Sequence, residues 1–257
     1  MQWFVIFKKE LLENWRNLKW IWVPIVFILF AVMDPITTYY LPKIMDAVGG
    51  VPEGSIIDPP MPNAQEAMMM SYGELGMLGV LLTVVIVMST ISGEIKSGVY
   101  EMILSKPVKF TNYVSAKFLS IMLIIIISLA LAIGTAWYYV MILFGTIDFT
   151  RILMSLFFFT LYFALIVSIV IMVNTWTQSP GLVAFISLAL IIIFNVLTNI
   201  YGHILTWSPA LISDYIGEYL ASGVLISELW YAALMAFVFS IVCLQFAIVT
   251  LRNRVLH

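Results

Sequence analysis

Asn174-Thr175-Trp176-Thr177-Gln178-Ser179-Pro180-Gly181 is the segment on which the fold turns. It is the polar, Pro/Gly-bearing break in a stretch, residues 152–213, that contains no Asp, Glu, Lys or Arg. A hydrocarbon layer about 30 Å thick takes roughly 20 helical residues to cross, so the stretch holds two spans joined by this break. They run over residues 152–173 and 182–200. Upstream, charge-bordered apolar runs mark spans at about 20–40, 75–92 and 118–144, and a sixth follows at 229–251. Trp230 and Tyr231 flank one end of the sixth span, and Arg252 and Arg254 the other.

The composition of the 257-residue chain agrees. It is 63% apolar and 10% charged, with a mean hydropathy of +1.07, against about 25% charged residues in soluble domains. That leaves too little polar surface to cover a water-soluble globule. The fold class expected is therefore an all-α polytopic membrane protein, one unit over residues 1–257. The net charge of −2 carries no nucleic-acid footprint. The single cysteine, Cys243, lies in an apolar run and excludes an intrachain disulfide.

Charge asymmetry orients the spans. With the N-terminus placed inside, all of the 12 basic residues except Lys43 and Arg151 fall on the cytoplasmic side. Of the 14 acidic residues only Glu10, Glu13, Glu94 and Glu101 fall there. Both termini are thus expected in the cytoplasm, as an even number of spans requires. Charges within the first sixteen residues argue against a cleaved signal peptide.

Outside the spans, Phe4, Phe7, Leu11, Trp15 and Leu18 recur at helical spacing, so residues 1–18 predict an interfacial amphipathic helix. The prolines and glycines between Leu41 and Glu74 predict an irregular outer loop. Met61, Met68, Met69 and Met70 in it, with His203 on the same side, read either as soft copper ligands or as gap-filling apolar residues. Ser208-Pro209 opens a short outer helix whose apolar face lines up Leu211, Tyr215 and Tyr219 with Ile212, Ile216 and Leu220 beside them, and from which Asp214 and Glu218 point away. Asp34, before Pro35, reads as the exit of the first span or as a site for a cation or amine.

The segment between the second and third spans carries the most information. Glu94, Lys96, Gly98 and Glu101 precede Met102-Ile103-Leu104-Ser105, and Pro107 ends the run. Val99, Met102 and Ile103 form one apolar face of a helix too short to be stable alone. Such a face needs a partner. Polar residues inside spans are candidates for a pathway or for interhelical hydrogen bonds: Thr83 and Thr90 on the second, and Asn195, Thr198 and Asn199 on the fifth.

The pattern Glu94, Gly98, Leu104, Ser105, Pro107 and Val108, with Lys117 opening the third span, resembles the permease subunits of ABC-2 type transporters. The resemblance extends to the elbow helix, the six spans and the outer helix. It implies an exporter subunit in a bacterial plasma membrane, paired with a second permease chain, identical or paralogous. It also implies two cytosolic ABC ATPase subunits that carry the ATP and magnesium. By position, residues 97–105 would be the coupling helix, with Glu94, Gly98, Val99, Glu101, Met102, Ile103, Leu104 and Pro107 as the ATPase-coupling residues. The chain has no G-x-x-x-x-G-K-[ST] loop and is not expected to be an enzyme or to bind a cofactor or metal of its own. A channel or ion-driven transporter working alone is the alternative, but such proteins place ionisable residues at mid-span, and none lies there. An intramembrane enzyme would need a cluster that His203 and His257 cannot build. A sparsely polar interior leans toward an amphipathic or apolar cargo such as a peptide, drug or lipid.

Overall fold

The computed structural model describes residues 2–47, 61–99 and 108–255, and every regular element among them is helical. Helix α1 (Gln2–Arg16) ends in a sharp turn, where Asn17 N and Leu18 N donate back to Glu13 O and Trp15 O. Leu18 takes φ 55°, in the left-handed region. Helix α2 (Lys19–Ala47) follows. Then come α3 (Ala64–Glu74), a π turn (Leu75–Gly79), α4 (Val80–Val87) and α5 (Ser92–Lys96). The remaining elements are α6 (Phe110–Leu143), α7 (Phe149–Asn174), α8 (Pro180–Ile200), α9 (Ile212–Ser222) and α10 (Ser227–Val255).

Among the described residues, six segments are long and apolar enough to cross a bilayer: Lys19–Ile44, Ala64–Lys96, Phe110–Leu143, Phe149–Asn174, Pro180–Ile200 and Ser227–Asn253. The chain is an all-α, multi-pass membrane protein. Helix α7 is the central column, buried along most of its length, while α8 and α10 leave most of their surface open. Helix α2 packs along α6, and α10 along α7. Aromatic edges fix the centre: Tyr72 of α3 meets the Phe159 ring at 5.0 Å and Phe27 of α2 meets Phe163 at 6.0 Å. Such pairs contribute about 0.5–1.5 kcal/mol beyond their burial.

The helices that flank residues 48–60 reach further toward them than expected. Helix α2 continues through Pro35 and Pro42 to Ala47, because neighbouring helices and local adjustment accommodate proline inside membrane helices. Asp34 therefore lies inside the helix and not at its end, and its carboxyl lies beside that of Glu74. Before α3, Asn63 and Glu66 form a capping box, with Glu66 N donating to Asn63 Oδ1 at 2.8 Å and Asn63 N to Glu66 Oε2 at 3.0 Å. That starts the second span at Ala64. Met68, Met69 and Met70 are consequently helical and point three ways: Met68 is buried, Met69 packs against Gly217, and Met70 Sδ accepts from Thr38 Oγ1. Successive helical residues turn about 100° apart, so the three sulfurs do not converge.

Helix α9 follows its predicted pattern in part: Tyr219 is buried but Leu211 and Tyr215 are only half-buried, and the flanking row is the deeper one. Ile212, Ile216 and Leu220 are fully buried against α3 and α7, and Asp214 and Glu218 are exposed. Burying each such side chain is worth about 1.5–3 kcal/mol. Arg151 Nη1 donates to Leu220 O at 2.9 Å and satisfies a carbonyl at the helix end, beside Gly223 at φ 75°.

Candidate functional site

Helix α1 shows an inverted arrangement. Its buried residues are Glu10 and Asn14, whereas Phe4, Leu12, Trp15 and the following Leu18 are exposed. The polar side is held against α6, so the apolar stripe is free to meet lipid. Trp3 Nε1 donates to Ser115 Oγ at 3.1 Å, which fastens the start of α1.

Five charged side chains from three elements meet behind α1. On α6, Tyr113 and Lys117 are four residues apart and share a face. Lys117 is only 1% exposed. Its Nζ donates to Glu10 Oε1 at 2.9 Å and to Thr90 O at 3.0 Å, and lies in an ion pair 3.0 Å from Glu94 Oε1. Lys9 Nζ contacts Glu94 Oε1 at 2.6 Å, Glu10 Oε1 at 3.0 Å and Glu13 Oε2 at 3.0 Å. The Tyr113 hydroxyl donates to Glu94 Oε2. Burial pulls the Lys9 pKa down, but the carboxylates of Glu10 and Glu94 more than offset it and hold the ammonium above its usual value. The carboxylate oxygens of Glu10, Glu13 and Glu94 lie within 4.8 Å of one another, and the two ammonium groups already balance them there.

Buried ion pairs gain little net stability, because desolvation offsets their attraction. Their effect is positional. Glu94 ties α5 at once to α1 through Lys9 and to α6 through Lys117 and Tyr113.

A second polar node lies directly above. The second span is interrupted between Val87 and Ser92, and Asn174, the last residue of α7, is fully buried against the break. Asn174 Oδ1 accepts from Ile91 N at 3.3 Å and Ser92 N at 3.1 Å. Its Nδ2 donates to Val87 O at 3.0 Å and Val170 O at 2.9 Å. Non-helical backbone survives at membrane depth only where protein groups satisfy it, as here.

A family model described as ABC-2 family transporter protein matches residues 4–217. The chain belongs to the ABC-2 transporter family. An uncharacterized transmembrane protein of Bacillus subtilis (strain 168), YxlG, is 32% identical over 205 residues, 80% of each chain. ABC-2 permeases are transmembrane subunits that work with separate ABC ATPases, so the charge cluster belongs to a transport subunit and not to an ATPase.

Of the ABC-2 residues expected to couple to an ATPase, Glu94 is in the cluster, Gly98 follows α5 with φ 74°, and Val99 is exposed. Glu101, Met102, Ile103, Leu104 and Pro107 lie outside the described residues. The polar residues of the spans are dispersed. Thr83 is buried and donates to Gly79 O at 2.8 Å within its own helix. Thr90 lies in the break, so it does not continue the Thr83 face, and its carbonyl accepts from Lys117. Thr198 is buried in a 2.7 Å hydrogen bond with Ser208, Asn195 lies beside the Tyr162 hydroxyl, and Asn199 is exposed.

Sequence reading missed Lys9, Glu10 and Asn174 as site residues and took Lys117 only as the border of the third span. Helix α6 in fact begins at Phe110, which carries Lys117 two turns inside it. A lysine within a membrane-length helix, facing a carboxylate at the start of a preceding segment, is the signal that was available.

Proposed function

We propose that the chain is the permease subunit of an ATP-driven exporter, with residues 97–105 forming a cytosolic helix that seats on an ABC ATPase. Two such ATPases and a second permease chain complete the complex. The end of the bundle bearing α1, Lys117 and Arg252 faces the cytoplasm of a bacterial cell, because the basic residues concentrate there. The exposed apolar stripe of α1 then rests in the inner membrane interface. Family membership supports the permease assignment, and the observation that carries the coupling route is the anchorage of Glu94 to both Lys9 and Lys117. A stroke applied to the segment after α5 is delivered to α1 and α6 as one body. The long apolar columns with few polar groups favour an amphipathic or apolar cargo.

The test is to tag the C-terminus, extract the complex in mild detergent, identify its partners by mass spectrometry and assay ATP hydrolysis. A stoichiometric ATPase whose activity in the complex collapses when Met102 and Ile103 are replaced by Glu supports the assignment. A chain that purifies alone and hydrolyses nothing refutes it in favour of a transporter working by itself.

A further inference from the structure

In an unbroken α-helix Ile91 N would donate to Val87 O and Ser92 N to Met88 O. Here both amides donate to Asn174 Oδ1 instead. The carbonyl oxygens they leave are also taken: Val87 O accepts from Asn174 Nδ2 and from Thr90 N, and Met88 O accepts from Ser92 Oγ at 2.7 Å. The side-chain amide of Asn174 is thus spliced, donor and acceptor together, into the hydrogen-bond ladder of the second span. Insertion of a side chain into the ladder is an established cause of a sharp helix kink.

We infer that Asn174 is the positioning residue of a hinge in the second span, inserted in one transport state and withdrawn in the other. The groups it holds make this reversible. When the carboxamide leaves, Ile91 N and Ser92 N face the carbonyls of Val87 and Met88, and the backbone ladder closes, while Asn174 Oδ1 gives up both of its donors. Its own Nδ2 keeps the bond to Val170 O within α7. The backbone of the second span is satisfied in both end states, and the bonds the carboxamide gives up on withdrawal bias the resting equilibrium toward the inserted state, which a ligand or partner would have to overcome. The parts on either side are independently braced. Below the break, Glu94 locks α5 to Lys9 and Lys117; above it, Val80, Val84 and Val87 bury α4 in the core. Resting on the permease reading, the hinge lets α5, α1 and α6 answer the ATPase together while α4 pivots against them.

The experiment places spin labels at Leu81→Cys and Lys96→Cys, both exposed, in a Cys243→Ser background, and measures their separation by pulsed electron resonance in lipid nanodiscs. A continuous helix would set these Cα atoms about 22 Å apart. Asn174→Leu, which cannot enter the ladder, should shift the separation to the continuous value in the isolated chain, with or without an ATPase. An unchanged separation in that variant overturns the hinge and leaves the permease assignment standing. In the complex with its ATPase, trapping with ATP and vanadate should move the wild-type separation and leave Asn174→Leu where it is. A wild-type separation that does not respond, in a complex that hydrolyses ATP, also overturns the proposal. A chain that recruits no ATPase refutes the permease reading instead, because the effect of Asn174→Leu is read without nucleotide.

Discussion

Lys117 and Glu94 form an ion pair of 3.0 Å between side chains that are 1% and 10% exposed, joining α6 to the short helix that precedes the proposed coupling segment. Glu10 completes the pair from α1, 107 residues away in the chain from Lys117. Removing one partner of a buried pair leaves the other's charge uncompensated, at a cost of about 3–5 kcal/mol. Lys117→Met should therefore lower the thermal midpoint of the detergent-solubilised protein sharply. Adding Glu10→Gln to it should recover part of the loss, because Lys9 then balances Glu94. Strict additivity of the two substitutions would show that they do not share one network.

Lys9 gives the cluster a pH dependence on the alkaline side. Its folded pKa lies above the ordinary value of 10.5, raised by Glu10 and Glu94 against the opposing effect of burial. Its contribution is thus complete below pH 10.5 and drains away as pH climbs through the folded value. Thermal midpoints measured from about pH 8 to about pH 12 should fall more steeply for the wild type than for Lys9→Met. Parallel curves would mean that Lys9 gains nothing from its neighbours.

The parts that were legible in the sequence are those written in one dimension. Uninterrupted apolar runs set the six spans, and the spacing of Ile212, Ile216 and Leu220 set the buried face of α9. The capping box of Asn63 and Glu66 was also local, but the prolines and glycines around it read as loop, and the start of α3 was lost among them. The charge cluster was less accessible because its members come from positions 9, 10, 94 and 117, and only tertiary packing brings them together. Asn174 read as part of a turn because it does end a helix. Its second partner, the break in another helix, has no local mark.

Gly223 separates two costs at the end of α9. At φ 75° a side chain strains the backbone by about 1–2 kcal/mol. A Cβ there would also stand 2.5 Å from Arg151 Nη2, the group beside the one that satisfies Leu220 O. Gly223→Ala should lower stability and expose residues 212–226 to proteolysis. Gly134→Ala, in α6 with open space around it, should be neutral or mildly stabilising. Equal protection of residues 212–226 in both variants would remove Arg151 and Gly223 as the clasp on α9.

Gly98 tests the backbone at the root of the proposed coupling segment. It takes φ 74°, and a Cβ there would meet nothing within 4 Å among the described residues, so the effect of substitution is expected from backbone conformation. Alanine pays about 1–2 kcal/mol in the left-handed region, and asparagine enters it more readily. ATP hydrolysis by the assembled complex should then rank wild type above Gly98→Asn and Gly98→Ala lowest, while the yield of inserted protein stays constant. The ordering matters more than the size of the loss, because a general defect in packing would not distinguish asparagine from alanine. If Gly98→Ala matches the wild type, the turn after α5 transmits nothing to the ATPase, and coupling must run through a later part of the segment.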